Sequence, residues 1–283
     1  MKVFYTRSTP HLASQLPYQQ GKYLCKSFSD GELYIKLEED VTGESVWVIA
    51  NTLPPAEHLM ELLLLLDALQ RSGAIINLIF TYFAYARQDK PLAQEAASME
   101  LICHLLKTFA IQKIAIIHAH SMLLHNYIDF ENVIPLEQIA QIAQKYDALA
   151  APDKSARALV EKLSQQLGME AIFLTKSRLE QGSVEILSCD GNVHGKKILL
   201  IDDMIATSNT VIETSKMLKI LGATHISVWA THGIFSGNAH HELEKSGVTK
   251  IYVTNTIAQK NGSSKIEVIS IAPLLEQIVQ QYR

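Results

Sequence analysis

The sequence predicts an α/β fold of two mostly parallel sheets, each flanked by helices. Three observations predict it. First, the unbroken apolar runs VWVIA at 46–50, INLIFTYF at 76–83 and KIAIIHA at 113–119 read as strands buried on both faces. Helical patterns lie between them, near 57–72 and 98–109, the first ending near Gly73. Second, the alternation recurs. AIFL at 171–174, KKILLIDD at 196–203, HISVWATH at 225–232 and KIYVTN at 250–255 are strands, and 154–167 and 210–221 are helices, the latter ending at Gly222. Third, 283 residues that are 48% hydrophobic supply two packed cores.

The junction between the halves falls near 135–150, a helical stretch at 136–146 bracketed by Pro135 and Pro152. The expected division is residues 1–140 and 141–283. The last helical segment, PLLEQIVQQYR, suits either half.

Composition narrows the function. The formal net charge of -4 and the lack of a long basic patch argue against nucleic acid. The most apolar run, LMELLLLLDAL at 59–69, is interrupted by Glu61 and Asp67 and is too short to cross a bilayer. The segment MKVFYTRSTPHLASQL has no apolar core of signal-peptide length. Cys25, Cys103 and Cys189 are odd in number and far apart, which fits a reducing compartment. The expected location is the cytoplasm, with no membrane or nucleic-acid partner.

The segment LLIDDMIATSNTVIETSKMLKILG carries the strongest chemical signal. An apolar strand ends in Asp202 and Asp203. A loop of small and hydroxylated residues follows, with Ala206, Thr207, Ser208, Asn209 and Thr210, and then a helix. Backbone N–H groups at such a helix start suit a phosphate monoester. Two acids beside it suit ribose hydroxyls or Mg²⁺. A sugar phosphate satisfies both demands. The alternative is an ordinary strand end with helix-capping Ser and Thr.

Asp202-Asp203-Met204-Ile205-x-Thr207-x-x-Thr210 resembles the phosphoribosyl diphosphate motif, which phosphoribosyltransferases and ribose-phosphate diphosphokinases share. Three further segments resemble the diphosphokinases alone. They are FSDGELYIKLEEDVTGESVWVIANT from Phe28, MELLLLLDALQRSGA with YFAYARQDK at 82–90, and ATHGIFSGNA at 230–239. Transferases lack the FSDGE and YARQD segments.

The resemblance implies two phosphoribosyltransferase-like domains. The first would bind ATP and the second ribose 5-phosphate, with Mg²⁺ as cofactor and a homo-oligomer, dimer or higher, as the assembly. It implies that Phe28, Asp30, Glu32, Arg87, Gln88 and Asp89 bind ATP. Arginine's planar fork suits phosphate oxygens. It places Asp202, Asp203, Thr207, Ser208, Asn209 and Thr210 at ribose 5-phosphate, His120 and Asp153 at metal, and Lys176 and Arg178 at the transferring phosphoryl group. His118 and His120, at a predicted strand end, would lie on one side by period-two alternation; His118 stands where the family has an aspartate.

The implied reaction moves the diphosphoryl group of ATP to the C1 hydroxyl of ribose 5-phosphate. Some positions depart from the family pattern. Ala206 stands in place of aspartate and Asn209 in place of glycine, and Lys154-Ser155-Ala156-Arg157 follows Asp153 where a glycine pair is usual. A non-catalytic regulatory relative is therefore a second reading, and a phosphoribosyltransferase a third.

Overall fold

The computed structural model describes residues 1–178, 185–259 and 263–282; the side chains of 176–178 and 185–187 lie outside the described residues. The chain forms two compact units. Unit 1 is Met1–Ile134 with Thr256–Ala258 and Ile271–Arg283, and unit 2 is Pro135–Asn255 with Gln259–Ser270.

Unit 1 runs β1 (Lys2–Tyr5), α1 (Pro10–Ala13), β2 (Gln19–Gln20), β3 (Tyr23–Ser27), β4 (Leu33–Leu37), β5 (Ser45–Asn51), α2 (Glu57–Arg71), β6 (Ile75–Tyr82), α3 (Ser98–Leu106), β7 (Ile111–Ile117) and β8 (Glu131–Val133). Six strands form one sheet in the order β2-β1-β5-β6-β7-β8. Every pair in it is parallel. The central strands β5 and β6 are buried beyond their first residue, the reason for their continuous Val, Ile, Leu and Phe content. Alternate residues serve opposite faces. Phe4, Val46, Val48, Leu78 and Phe80 pack with Leu62, Leu65, Leu66 and Leu69 of α2. Val3, Trp47, Ile49 and Ile79 pack with Leu274, Leu275, Ile278 and Val279 near the C-terminus. The last helix thus covers the second face of the unit 1 sheet, a placement its own apolar pattern left open.

Unit 2 runs α4 (Leu136–Ala143), β9 (Ala148–Ala151), α5 (Lys154–Leu167), β10 (Glu170–Arg178), β11 (Glu185–Asp190), β12 (Lys197–Ile205), α6 (Asn209–Ile220), β13 (His225–Gly233), α7 (Ala239–Lys245), β14 (Lys250–Thr254) and β15 (Ile266–Ile269). The C-terminal helix of unit 1 is α8 (Ala272–Gln281). The seven strands of unit 2 lie in the order β11-β10-β9-β12-β13-β14-β15. Only the β10–β11 edge pair is antiparallel. Helix α6 stops at Gly222, whose φ of 93° suits glycine and whose added Cβ would stand 2.5 Å from the His194 ring.

Several boundaries differ from the sequence reading. β10 continues four residues past Leu174, because antiparallel pairing with β11 carries the polar Thr175-Lys176-Ser177-Arg178 in a strand. Lys176 and Arg178 therefore sit at the end of a strand, paired with Leu187 and Glu185, and not just after one. β7 ends at Ile117, and His118 turns the chain at a φ of 44°. This breaks the alternation, so His118 is buried while His120 is exposed. α3 and α4 end at Leu106 and Ala143, a turn short of the predicted 109 and 146. Among the described residues, no helix is long and apolar enough to cross a membrane.

Candidate active site

In open α/β sheets, ligands bind at the carboxyl ends of the strands. In unit 2 that edge gathers Asp153 after β9 and Asp202 and Asp203 within β12. β12 outlasts the acidic pair, since Met204 and Ile205 still align with His232 and Gly233 of β13. The Asp203 N–H donates to Asp202 Oδ1 at 2.9 Å. Burial, then the neighbouring charge and hydrogen bond of Asp203, and then the charge of Asp153, push the Asp202 carboxyl well above the ordinary carboxylate range. Asp153 caps α5. Its Oδ1 accepts the Ser155 N–H at 2.8 Å, the Ser155 hydroxyl at 2.5 Å and the Ala156 N–H at 3.2 Å. A recess of about 370 Å³ opens here, lined by Asp153, Lys154, Ser155 and Thr175.

The turn after β12 is short. Only Ala206, Thr207 and Ser208 separate it from α6, so Asn209 and Thr210 are the first helical residues. Asn209 does not use a left-handed backbone, so the helix start accommodates it without the conformational freedom of glycine. Thr207 and Asn209 are exposed and Thr210 half-buried. Ser208 is different. It is buried, and its hydroxyl donates to Glu242 Oε2 of α7. The segment 230–239 serves as a buttress to the turn. The Ile234 and Phe235 N–H groups each donate to the Ile205 carbonyl at 3.0 Å, and the Ser236 N–H donates to the Ala206 carbonyl at 2.7 Å. Sequence reasoning picked out ATHGIFSGNA as a motif without a task; it missed Glu242, whose pairing with Ser208 spans 34 residues.

In unit 1, β3 and β4 form a separate two-stranded antiparallel hairpin. Its turn carries Phe28, Asp30, Gly31 and Glu32. The Phe28 N–H donates to the Glu32 carbonyl at 2.8 Å, and the Glu32 N–H donates to Asp30 Oδ1 at 3.1 Å. Phe28 is not a core aromatic: it is 48% exposed and meets Tyr34 edge-on at 5.8 Å, with Lys26 Nζ 5.6 Å from its centroid. Arg87 and Gln88 are exposed and Asp89 half-exposed, just past the carboxyl end of the central strand β6. The Tyr85 φ of 67° and the Gln88 N–H bond to the Tyr85 carbonyl at 3.0 Å shape that turn. His120 follows β7 on the same edge. A second recess, of about 480 Å³, opens at the opposite, amino end of β7 and holds none of these residues. Among the described residues, no three His, Cys, Asp or Glu side chains converge to hold a metal. The side chains of Lys176 and Arg178 lie outside the described residues.

Comparison with known proteins places this geometry. The N-terminal domain of ribose phosphate pyrophosphokinase matches residues 1–109, and the phosphoribosyl synthetase-associated domain matches residues 132–282. The ribose-phosphate pyrophosphokinase of Wolinella succinogenes is 31% identical over 99% of this chain and 95% of its own. The chain belongs to the ribose-phosphate pyrophosphokinase family. Another relative of that name, from Helicobacter hepaticus, is 30% identical over 98% of this chain and 93% of its own. The phosphoribosylpyrophosphate synthetase of Mycobacterium smegmatis superposes with a TM-score of 0.90 at 28% identity, covering 99% of this chain and 98% of that one. Each unit thus has the phosphoribosyltransferase-like, mostly parallel α/β architecture of a ribose-phosphate pyrophosphokinase.

Proposed function

We propose that this protein transfers the diphosphoryl group of ATP to the C1 hydroxyl of ribose 5-phosphate, giving phosphoribosyl diphosphate and AMP. The ribose oxygen forms the new bond to the β-phosphorus. The bond from that phosphorus to the oxygen bridging it to the α-phosphorus breaks, AMP leaves, and the hydroxyl proton is released. The observation that carries the reading is the carboxyl edge of unit 2, where Asp202, raised by burial and Asp203, stands one short turn from the start of α6. A half-buried acidic pair beside a helix N-terminus favours a ligand with hydroxyls at one end and phosphate at the other.

In this proposal, Thr207, Asn209, Thr210 and the first N–H groups of α6 hold the 5-phosphate. Asp202 and Asp203 face the ribose hydroxyls. Phe28 stacks on adenine, Asp30 and Glu32 meet its polar edges, Arg87 and Gln88 meet the phosphates, and Asp89 completes the nucleotide site. Lys176 and Arg178 meet the charge that develops as the β-phosphorus is attacked. The oxygen donors fit Mg²⁺, which keeps several waters and binds through one or two carboxylates plus substrate phosphates, so a three-residue cage is not needed. Asp153 of unit 2 would offer it the oxygen free of the α5 cap, and His120 of unit 1 is assigned to metal by the family resemblance alone; the ion would neutralise and align the ATP phosphates. A cytoplasmic location and assembly as a dimer or larger homo-oligomer belong to the same reading. The exposed Leu24 and Tyr34 on one face of the β3–β4 hairpin support the assembly.

Ser208 has a different task from the one its sequence position suggested. A hydroxyl committed to Glu242 positions the turn and does not donate to phosphate. Ser208→Ala is expected to raise the KM for ribose 5-phosphate about fivefold, on the scale of one lost hydrogen bond, with the KM for ATP unchanged. In a Glu242→Ala background the same change should add almost nothing, because the two residues act as one unit. Full additivity of the two effects would return Ser208 to the phosphate.

The test of the activity is AMP release with ATP, Mg²⁺ and several sugar phosphates. AMP and phosphoribosyl diphosphate should appear in equal amounts, and only when ATP and the pentose phosphate are both present. Binding of ATP without turnover would favour a regulatory relative. Diphosphate release that depends on a nucleobase and not on ATP would favour a phosphoribosyltransferase.

A further inference from the structure

Glu61 is the one acid on the buried stripe of α2. It shares that stripe with Leu62, Leu65 and Leu69 and is fully buried. A buried carboxylate is costly unless it is paired and hydrogen-bonded. Its partners come from two other segments. The Arg7 N–H donates to Oε1 at 3.0 Å, and Arg7 Nε donates to Oε2 at 3.1 Å. The Tyr23 hydroxyl donates to Oε1 at 2.7 Å and also lies 3.0 Å from the Tyr5 carbonyl. Burial, then the hydrogen bond and charge of Glu61, push the Tyr23 phenol far up, so it stays a donor at any physiological pH. No reactive task in the proposed chemistry falls to any of the three residues.

Tyr23 is the first residue of β3, and the hairpin it begins makes no ladder with the six-stranded sheet. A two-stranded hairpin alone is marginally stable in water. Its orientation therefore depends on side-chain anchors. Tyr23, Ile35 and Leu37 supply an apolar one by packing on the unit 1 core. Apolar contact is non-directional and permits sliding. The Tyr23–Glu61–Arg7 network is directional. It joins the root of the hairpin to α2 and to the end of β1.

We infer that Glu61, through Tyr23 and Arg7, is a positioning residue that sets where the Phe28–Glu32 turn meets the nucleotide. The ladder Tyr23↔Leu37 to Ser27↔Leu33 transmits the position of the root to the turn. A shift at the root is carried along five strand residues, about 17 Å, to the turn. The inference rests on the ATP reading of Phe28, Asp30 and Glu32.

Tyr23→Phe and Glu61→Gln test it in the full chain. Tyr23→Phe keeps the ring packing and removes only the hydroxyl. Glu61→Gln keeps the side-chain shape and removes the charge that holds Arg7. Each variant is expected to raise the KM for ATP about tenfold, with kcat and the KM for ribose 5-phosphate within twofold of the parent. Amide exchange should quicken at 28–32 and stay unchanged in β5 and β6. An unchanged KM for ATP in folded Tyr23→Phe overturns the inference even if Glu61→Gln fails to fold. So does a fall in kcat alone, the signature of a smaller active fraction. If the parent itself releases no AMP, the functional reading fails; the inference about the turn is then judged by the amide exchange alone, and unchanged exchange at 28–32 overturns it.

Discussion

Lys176→Ala is expected to lower turnover by about 10²-fold or more, the scale of removing one electrostatic stabiliser of a transition state. ATP affinity should change far less. The split follows from when the charge appears. In the proposed ground state, ATP would already have Mg²⁺ and the unit 1 residues assigned to it to meet its phosphates. Only as the β-phosphorus passes between oxygens does charge build where the end of β10 would supply cations. An interaction made only in the transition state lowers kcat and kcat/KM together and leaves KM nearly alone. Arg178→Ala should behave in the same way, and the double variant should lose less than the product of the two, because both serve one charge. Single-turnover AMP formation at saturating ATP and ribose 5-phosphate measures this directly. Parent-like turnover in Lys176→Ala would remove β10 from the chemistry.

Asp202→Asn is expected to do two opposite things. It should cut kcat/KM for ribose 5-phosphate by about 10²-fold, on the scale of losing charge-assisted hydrogen bonds to sugar hydroxyls. It should also stabilise the free protein by a few degrees in Tm, of the order expected for about 1 kcal/mol in a domain of this size. The second effect comes from the crowding of carboxylates at this edge. Burial, Asp203 and Asp153 all disfavour the Asp202 anion. A group whose pKa is raised by folding adds stability that is fully present below its unfolded value, near 3.9, and lost as pH rises through the raised folded value. The parent should therefore lose that contribution as pH rises above the ordinary carboxylate range, and the Asn variant should lack the slope. Thermal melts across pH 4 to 8, with and without ribose 5-phosphate, measure both. A variant that melts below the parent at neutral pH, or a parent without the extra slope, would contradict the carboxylate repulsion.

The legible part of this protein was its periodic and local part. Strands such as Ser45–Asn51 and Ile75–Tyr82, buried on both faces, announce themselves because burial on both sides demands unbroken apolar sequence. Helix α5 spans the expected 154–167, and the structure shows why it starts and stops there: Asp153 caps one end and Gly168 closes the other. The acidic pair and the turn after it were visible because strand, loop and helix stand in one stretch of chain. β9 was missed because Ala148–Ala151 is made of Ala and Leu, and its burial between β10 and β12 comes wholly from its neighbours.

What the chain order could not disclose are the distant partners. Glu61 was visible only as an interruption in an apolar run, although its place on the buried stripe of α2 was a signal that it must be paired. The partners Arg7 and Tyr23 lie 54 and 38 residues away. Ser208 was legible only as part of the phosphate loop, and its pairing with Glu242, 34 residues on, was not. β10 looked four residues shorter until β11 paired with it. Periodicity and capping are local consequences of backbone geometry, so the linear order of residues carries them. The pairing of a buried charge, the length of an edge strand and the seat of the last helix depend on which surfaces meet, and that is settled only when the chain closes on itself.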